Sequence, residues 1–377
     1  MFHYLGSTLT RLKEKFSASD NEAAKHENRS GLFLALALVV PPVTIVATHI
    51  FFRSCTAEVF HLEGFQQGYG SGIFRYRILG RDLVLLIYHF LLRLAHGHDR
   101  PLQMPMDHQG TVLFYLSYIV VIGLFFFLSN LLLLVLLWDW DKGVSDARLS
   151  QYFFLIFLWA LSTANVTPYD QIAYFFMLLA LLSVRLRSAW WMYLVLSISA
   201  IAGGLDRETQ FLVTPALWAV AICTRSSQSR RYYRAGLFHL VLFSACYIAL
   251  RIFISGPVSV SGIFTFGGPL AGPSICVLIT LYCICVSLGR REYPSKLPSI
   301  ALAIMSAPYL MTILVSGELH ELRLLIPMLI GLSFIYVQLY RLKQEHQSSL
   351  NSSLPAKKLI SLSVPSSPRQ KTLHVAR

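Results

Sequence analysis

Acidic residues are scarce in this chain. There are 19 Asp and Glu against 32 Lys and Arg, a formal net charge of +13, and charged residues of both signs make up only 14% of the 377. Soluble domains carry roughly a quarter, so a fold with a fully water-facing surface is excluded. Cysteine is also sparse: six residues, and apart from Cys55 all of them (Cys223, Cys246, Cys276, Cys283 and Cys285) fall in apolar segments. That pattern excludes a disulfide framework and the paired spacing of a zinc site. His61, His89 and His96 likewise lack a metal-ligand spacing, so neither metal nor cofactor is expected. An internal repeat is missing too, which removes the usual signature of an inverted-repeat transporter.

What remains is apolar. Hydrophobic residues make up 55% of the chain and the mean hydropathy is +0.57, in runs of roughly 15 to 25 residues, long enough for membrane spans. The predicted fold class is therefore all-α, a polytopic transmembrane bundle of about ten spans. Its basic excess follows from topology, because Lys and Arg accumulate on the cytoplasmic side; nucleic acid is not an expected partner.

In chain order, residues 1–30 form a cytoplasmic N-terminal segment with Arg11, Lys13, Lys15, Lys25 and Arg29. They are too polar for a cleaved signal peptide, so the first span is expected to be an uncleaved anchor. The transmembrane domain covers 31–340. Span 1 (31–52, with a kink at Pro41 and Pro42) leads to an outer loop, 53–110. Within that loop 82–96 is apolar but too short to cross, and Asp82, His89, Arg93 and His96 share one helical face, the pattern of an interfacial helix. Further spans are placed at 111–138, 151–164, 171–184, 189–205, 208–223, 235–254, 273–288, 297–315 and 324–340. A disordered cytoplasmic tail, 341–377, completes the chain. Every inner connection is basic; the exception is the first outer loop, with Arg75, Arg77, Arg81, Arg93 and Arg100.

This topology puts four polar sets on one side: Glu58 to Asp82, Asn165 to Asp170, Asp206 to Glu208, and Glu318 to Arg323. They are expected to line one outward cavity. Arginine suits phosphate there, being permanently charged and offering paired donors in a planar fork, and a neighbouring carboxylate can take a proton from a sugar hydroxyl. Each set also has a plainer reading. Asp206-Arg207-Glu208, and likewise Glu318, His320, Glu321 and Arg323, are equally expected as ion pairs at span ends, since buried charges must be paired. Arg75 and Arg77 also suit anionic headgroups.

Phe74-Arg-Tyr-Arg-Ile-Leu-Gly80, Thr167-Pro-Tyr-Asp170, Asp206-Arg-Glu-Thr209 and Glu321-Leu-Arg323, in this order of loops and spans, resemble the GT-C class of polytopic glycosyltransferases and uncharacterised bacterial inner-membrane proteins of that type. The resemblance implies an integral, multi-pass protein of the bacterial inner membrane with both termini cytoplasmic. It implies transfer of a sugar from a polyprenyl-phosphate donor, drawn from the membrane lipid, at the extracytoplasmic face. Glu58 or Glu63 then takes the place of the first-loop catalytic acid, although the class expects Asp there. Arg75, Arg77, Arg207 and Arg323 take the place of phosphate ligands. Tyr76, Asp170, Asp206, Glu208, Glu318, His320 and Glu321 are supporting residues. The acceptor, whether glycan, lipid or protein, is open. So are an O-antigen-type polymerase or ligase, a transporter or flippase, and a non-catalytic membrane subunit. Reporter fusions at Gly72 and Glu318 are expected on the extracytoplasmic side, and fusions at Lys142 and Arg187 in the cytoplasm; a cytoplasmic Gly72 or Glu318 dissolves the shared cavity.

Overall fold

The computed structural model describes residues 31, 38–40, 43, 62–66, 77–101, 110–137, 148, 151–156, 159, 168–224, 228–254, 297–307, 309 and 326–353. These residues are helical apart from turns and one isolated bridge between Pro101 and Thr111. In chain order they form α1 (Leu62–Gln66), α2 (Ile78–Leu94), α3 (Val112–Leu137), α4 (Pro168–Ser183), α5 (Ala189–Gly204), a 3-10 turn (Glu208–Leu212), α6 (Val213–Cys223), α7 (Gln228–Phe253), α8 (Leu297–Met305) and α9 (Ile326–Ser353). Most of span 1, span 8, residues 53–61, 67–76 and 102–109 of the first loop, residues 318–323 and the tail beyond 353 lie outside the described residues.

Two helices, α3 and α7, are long and apolar enough to cross a membrane. Each keeps an apolar stripe exposed: Val112, Leu116, Val120 and Leu124 on α3, and Leu237, Val241, Ile248 and Ile252 on α7. Spacings of four and seven along a helix place such residues on one face. The shorter helices α4 and α5, at 16 residues each, are about 24 Å long.

The segment expected to be an interfacial helix is helical: it is α2, starting and ending earlier than the sequence pattern suggested. Gly80, Val84 and Tyr88 are buried on one face. Asp82, His89 and Arg93 are exposed, and beside them Leu86, Phe90 and Leu94 form an exposed apolar stripe. His96 does not share that face. With φ of 51° at His96 and 80° at Gly97, the chain turns left-handed past the helix end, and the Gly97 N–H donates to the Leu92 carbonyl at 2.9 Å. Gly97 has no Cβ to oppose that turn. The chain returns through Asp99, whose carboxylate accepts the Leu113 N–H at 3.1 Å and so satisfies a free donor in the first turn of α3.

At the far end of helix α3, arginines supply donors to its last carbonyls. Arg185 donates to the carbonyls of Val135 and Leu136 at 3.0 and 3.1 Å, and Arg148 to that of Leu137 at 3.2 Å. Cations at a helix C-terminus also meet the negative end of its dipole. The expected inner edge at Arg185 and Arg187 therefore packs against the end of α3, while the start of α4 lies at the opposite end of the bundle.

Buried polar pairs tie the helices laterally. The Tyr152 hydroxyl donates to Asn130 at 2.8 Å, the Trp159 indole N–H to Gln171 at 2.5 Å, the Gln151 amide to Ser333 at 2.9 Å and the Gln338 amide to the Tyr232 hydroxyl at 2.6 Å. Around them runs one large apolar core, from Phe126 and Trp159 to Phe334 and Val337. A smaller cluster joins α1 and α2 to α3, with Phe65, Phe114 and Tyr118 in mutual ring contact at 5.1 to 5.4 Å.

Two boundaries differ from the sequence pattern. Helix α7 begins at Gln228, so Arg230, Arg231 and Arg234 are helical; α9 continues past 341 to Ser353. In both cases good helix formers extend an apolar helix past its greasy portion, since adding a turn to an existing helix is cheap.

Close helix packing relies on glycine at Gly203, where an added Cβ would collide with the buried Gln210 side chain. Ordinarily Ala for Gly favours a helix by about 0.5–1 kcal/mol. Gly203→Ala is instead expected to destabilise by about 1–3 kcal/mol through overpacking, seen as a lower thermal midpoint in detergent.

Candidate functional site

Three distant segments bring ionisable side chains together at the end of the bundle opposite Arg185. Arg77 stands immediately before α2. Asp170 is in the first turn of α4, which opens on Pro168, a residue suited to a first helical position because its missing N–H would be unpaired anyway. Asp206, Arg207 and Glu208 occupy the turn between α5 and the 3-10 segment. That turn is fixed by its own backbone, with the Arg207 N–H donating to the Gly203 carbonyl at 2.8 Å, and is tied to α2 by the Leu79 N–H donating to the Leu205 carbonyl at 3.3 Å.

Arg207 and Asp170 form a buried ion pair, with side chains 3% and 4% exposed. Arg77, equally buried, approaches Glu208 at 3.6 Å, and its guanidinium lies 5.5 Å from the centre of the Tyr169 ring. Glu208 is 40% exposed and is the member through which the cluster opens. Asp206 is buried, and neither of its carboxylate oxygens completes a hydrogen bond. Burial pushes its carboxyl well above the usual carboxylate range; Arg77 and the Gly80 N–H oppose that shift, and Glu208 reinforces it. Gly80 lets α2 approach: an added Cβ would stand 2.6 Å from Tyr169 Cδ1 and 2.9 Å from Asp206 Oδ1.

Arg251, in the last turn of α7, also acts electrostatically on Glu208. It donates to the Tyr247 hydroxyl at 2.8 Å and lies over that ring. Burial favours the neutral form of Asp206, which stands with Arg77, Arg207 and Arg251 beside Asp170 and Glu208. Such a site is disposed to take an anion at its Glu208 edge, because guanidinium groups in a low-dielectric setting attract charge more strongly than in water.

Of the residues singled out from the sequence, Arg77, Asp170, Asp206, Arg207 and Glu208 are brought together. Glu63 is exposed on α1, outside the buried set, while its neighbour Phe65 is inserted against Phe114. Glu58, Arg75, Tyr76, Glu318, His320, Glu321 and Arg323 lie outside the described residues. Sequence reasoning missed Gly80, Tyr169 and Arg251. The first two are inside motifs already picked out; Arg251 carried a signal as a lone charge closing an apolar helix. Among the described residues no group of three or more His, Cys, Asp or Glu is arranged to hold a metal ion. The sequence matches no protein-family profile, and no curated protein or solved structure is similar to it.

The raised carboxyl of Asp206 gives a pH signature. A buried carboxyl with a raised pKa contributes most below its unfolded value, and that contribution is lost as pH rises toward the folded one. Wild-type stability is therefore expected to fall as pH rises above the ordinary carboxylate range. Asp206→Asn, close in shape to the neutral acid, is expected to flatten that fall in thermal unfolding scans.

Proposed function

We propose that this chain is a multi-pass membrane glycosyltransferase of about ten spans, taking a sugar from a polyprenyl-phosphate donor at the extracytoplasmic face. The observation that carries this reading is the buried cluster of Arg77, Asp170, Asp206, Arg207 and Glu208, assembled from three segments at one end of the helices and open at Glu208. The two long apolar helices and the exposed apolar stripes support the membrane setting.

In the proposed reaction an acceptor hydroxyl oxygen attacks the anomeric carbon as the bond from that carbon to the phosphate oxygen breaks. The hydroxyl proton passes to a carboxylate, and polyprenyl phosphate departs with the bonding electron pair. Arg77, buried beside the open Glu208, acts with Arg207 and Arg251 through the field it sets up where the phosphate charge develops; such electrostatic stabilisation is usually the largest contribution to rate. Glu208 is the carboxylate placed nearest that edge. Glu58 and Glu63 of the first outer loop remain the counterparts implied by the resemblance.

A competing reading is that the cluster is a structural lock in a non-catalytic subunit, favoured by the burial and pairing of Arg207 and Asp170. Transfer from a polyprenyl monophosphate sugar to cell-envelope glycan acceptors, by purified protein in liposomes, separates the two. Arg77→Ala and Glu208→Gln are expected to lower transfer by about 100- to 1,000-fold, the half-exposed Glu208→Gln with its thermal midpoint little changed. Glu58→Gln and Glu63→Gln show whether the first loop supplies the base instead. Activity only with a diphosphate-linked oligosaccharide would point to a polymerase or ligase of the O-antigen type. An unaltered envelope glycan profile in cells carrying Arg77→Ala and Glu208→Gln, at normal expression, would sink the enzyme reading.

A further inference from the structure

The end of the bundle opposite the carboxylates is basic, and part of it is spent on structure. Arg185 and Arg148 cap α3. Arg231 is held between α5 and the turn before it, its Nε 3.4 Å from Met192 Sδ and its Nη2 donating to the Leu186 carbonyl. That contact pins the first turns of α7 against residues 184–192. Other arginines beside it face outward: Arg187 follows Leu186, and Arg230 and Arg234, one turn apart on α7, flank Arg231; all three are exposed.

Large aromatic surface is exposed next to them. Trp190 and Trp191, in the first turn of α5, are 72% and 57% exposed, on the segment that Arg231 grips. Tyr233, between Arg230 and Arg234, is also exposed and stacks on Trp218 at 5.6 Å. Among the described side chains no carboxylate lies at this end. Exposed indoles beside exposed guanidinium groups suit the boundary between headgroups and acyl chains, where Trp is enriched and phosphate oxygens accept from Arg.

We propose that Arg187, Arg230 and Arg234, with Trp190 and Trp191, form a binding surface for the headgroups of anionic phospholipid. The guanidinium groups donate to the lipid phosphate and the two indoles lie level with the glycerol region. The surface is remote from the carboxylate cluster and operates whether or not the chain transfers sugar; it requires only that the helices sit in a bilayer.

The test uses the purified full chain in neutral detergent, titrated with phosphatidylglycerol or phosphatidylcholine of the same acyl composition and read by native mass spectrometry. Wild type is expected to retain phosphatidylglycerol in preference, and added salt to weaken it. With roughly fivefold per basic side chain near a headgroup, Arg187→Gln/Arg230→Gln/Arg234→Gln is expected to lose affinity on the order of 100-fold. The corresponding triple Lys variant keeps most of it and serves as the folded control. Trp190→Leu/Trp191→Leu is expected to weaken both lipids alike. No preference in wild type, full retention by the triple Gln variant, or displacement of the lipid by inorganic phosphate or an acidic polypeptide at equal charge concentration would overturn the proposal.

Discussion

The buried pair of Arg207 and Asp170 is the constraint on which the described fold depends. Isolated, either charge would be costly to remove from water, and removing one partner of such a pair typically costs about 3–5 kcal/mol. The turn after α5 must therefore meet the first turn of α4, which sets the register of two helices along their length. Arg77 adds a third segment to the same contact and draws α2 over the top, where Gly80 permits the approach to Tyr169 and Asp206. One ionic requirement orders three elements far apart in sequence.

The other end of the bundle solves a related problem with opposite chemistry. The last carbonyls of helix α3 have no partner within the helix. Arg185 and Arg148 satisfy them, and Arg185 also reaches Gln338 on α9 at 3.2 Å. Carboxylates and arginines meet at one end, arginines and backbone carbonyls at the other. Between the two ends, paired amides and hydroxyls such as Gln151 with Ser333 supply lateral specificity that apolar contacts alone do not, because greasy faces slide with little penalty. The polarity of the molecule along its helices follows from this division, and both the proposed transfer site and the proposed lipid surface are readings of it.

Much of this was legible without coordinates. The apolar runs give α3, α4, α5, α6 and α7 because helix length and hydrophobic content leave little choice. That α2 is a helix of its own follows from a segment too short to cross whose polar residues share a face. Arg77, Asp170 and Asp206 to Glu208 stood out because charge is rare in such a chain and has to be used or paired. Helix ends were read less well. His96 leaves its predicted face because Gly97 lets the chain turn left-handed, and α7 and α9 run on through basic residues, since composition marks the end of a greasy stretch and not the end of a helix.

Residue type and spacing already make the chain helical and apolar and mark which of its charges need partners. Packing selects those partners. That Arg207 pairs with Asp170, that Asp206 is left without a completed hydrogen bond, and that Glu208 is the open edge all depend on packing. A single glycine at position 80 and one turn after α5 choose among pairings that the sequence leaves equal, because ionic attraction has little directional preference until backbone geometry limits which side chains can meet.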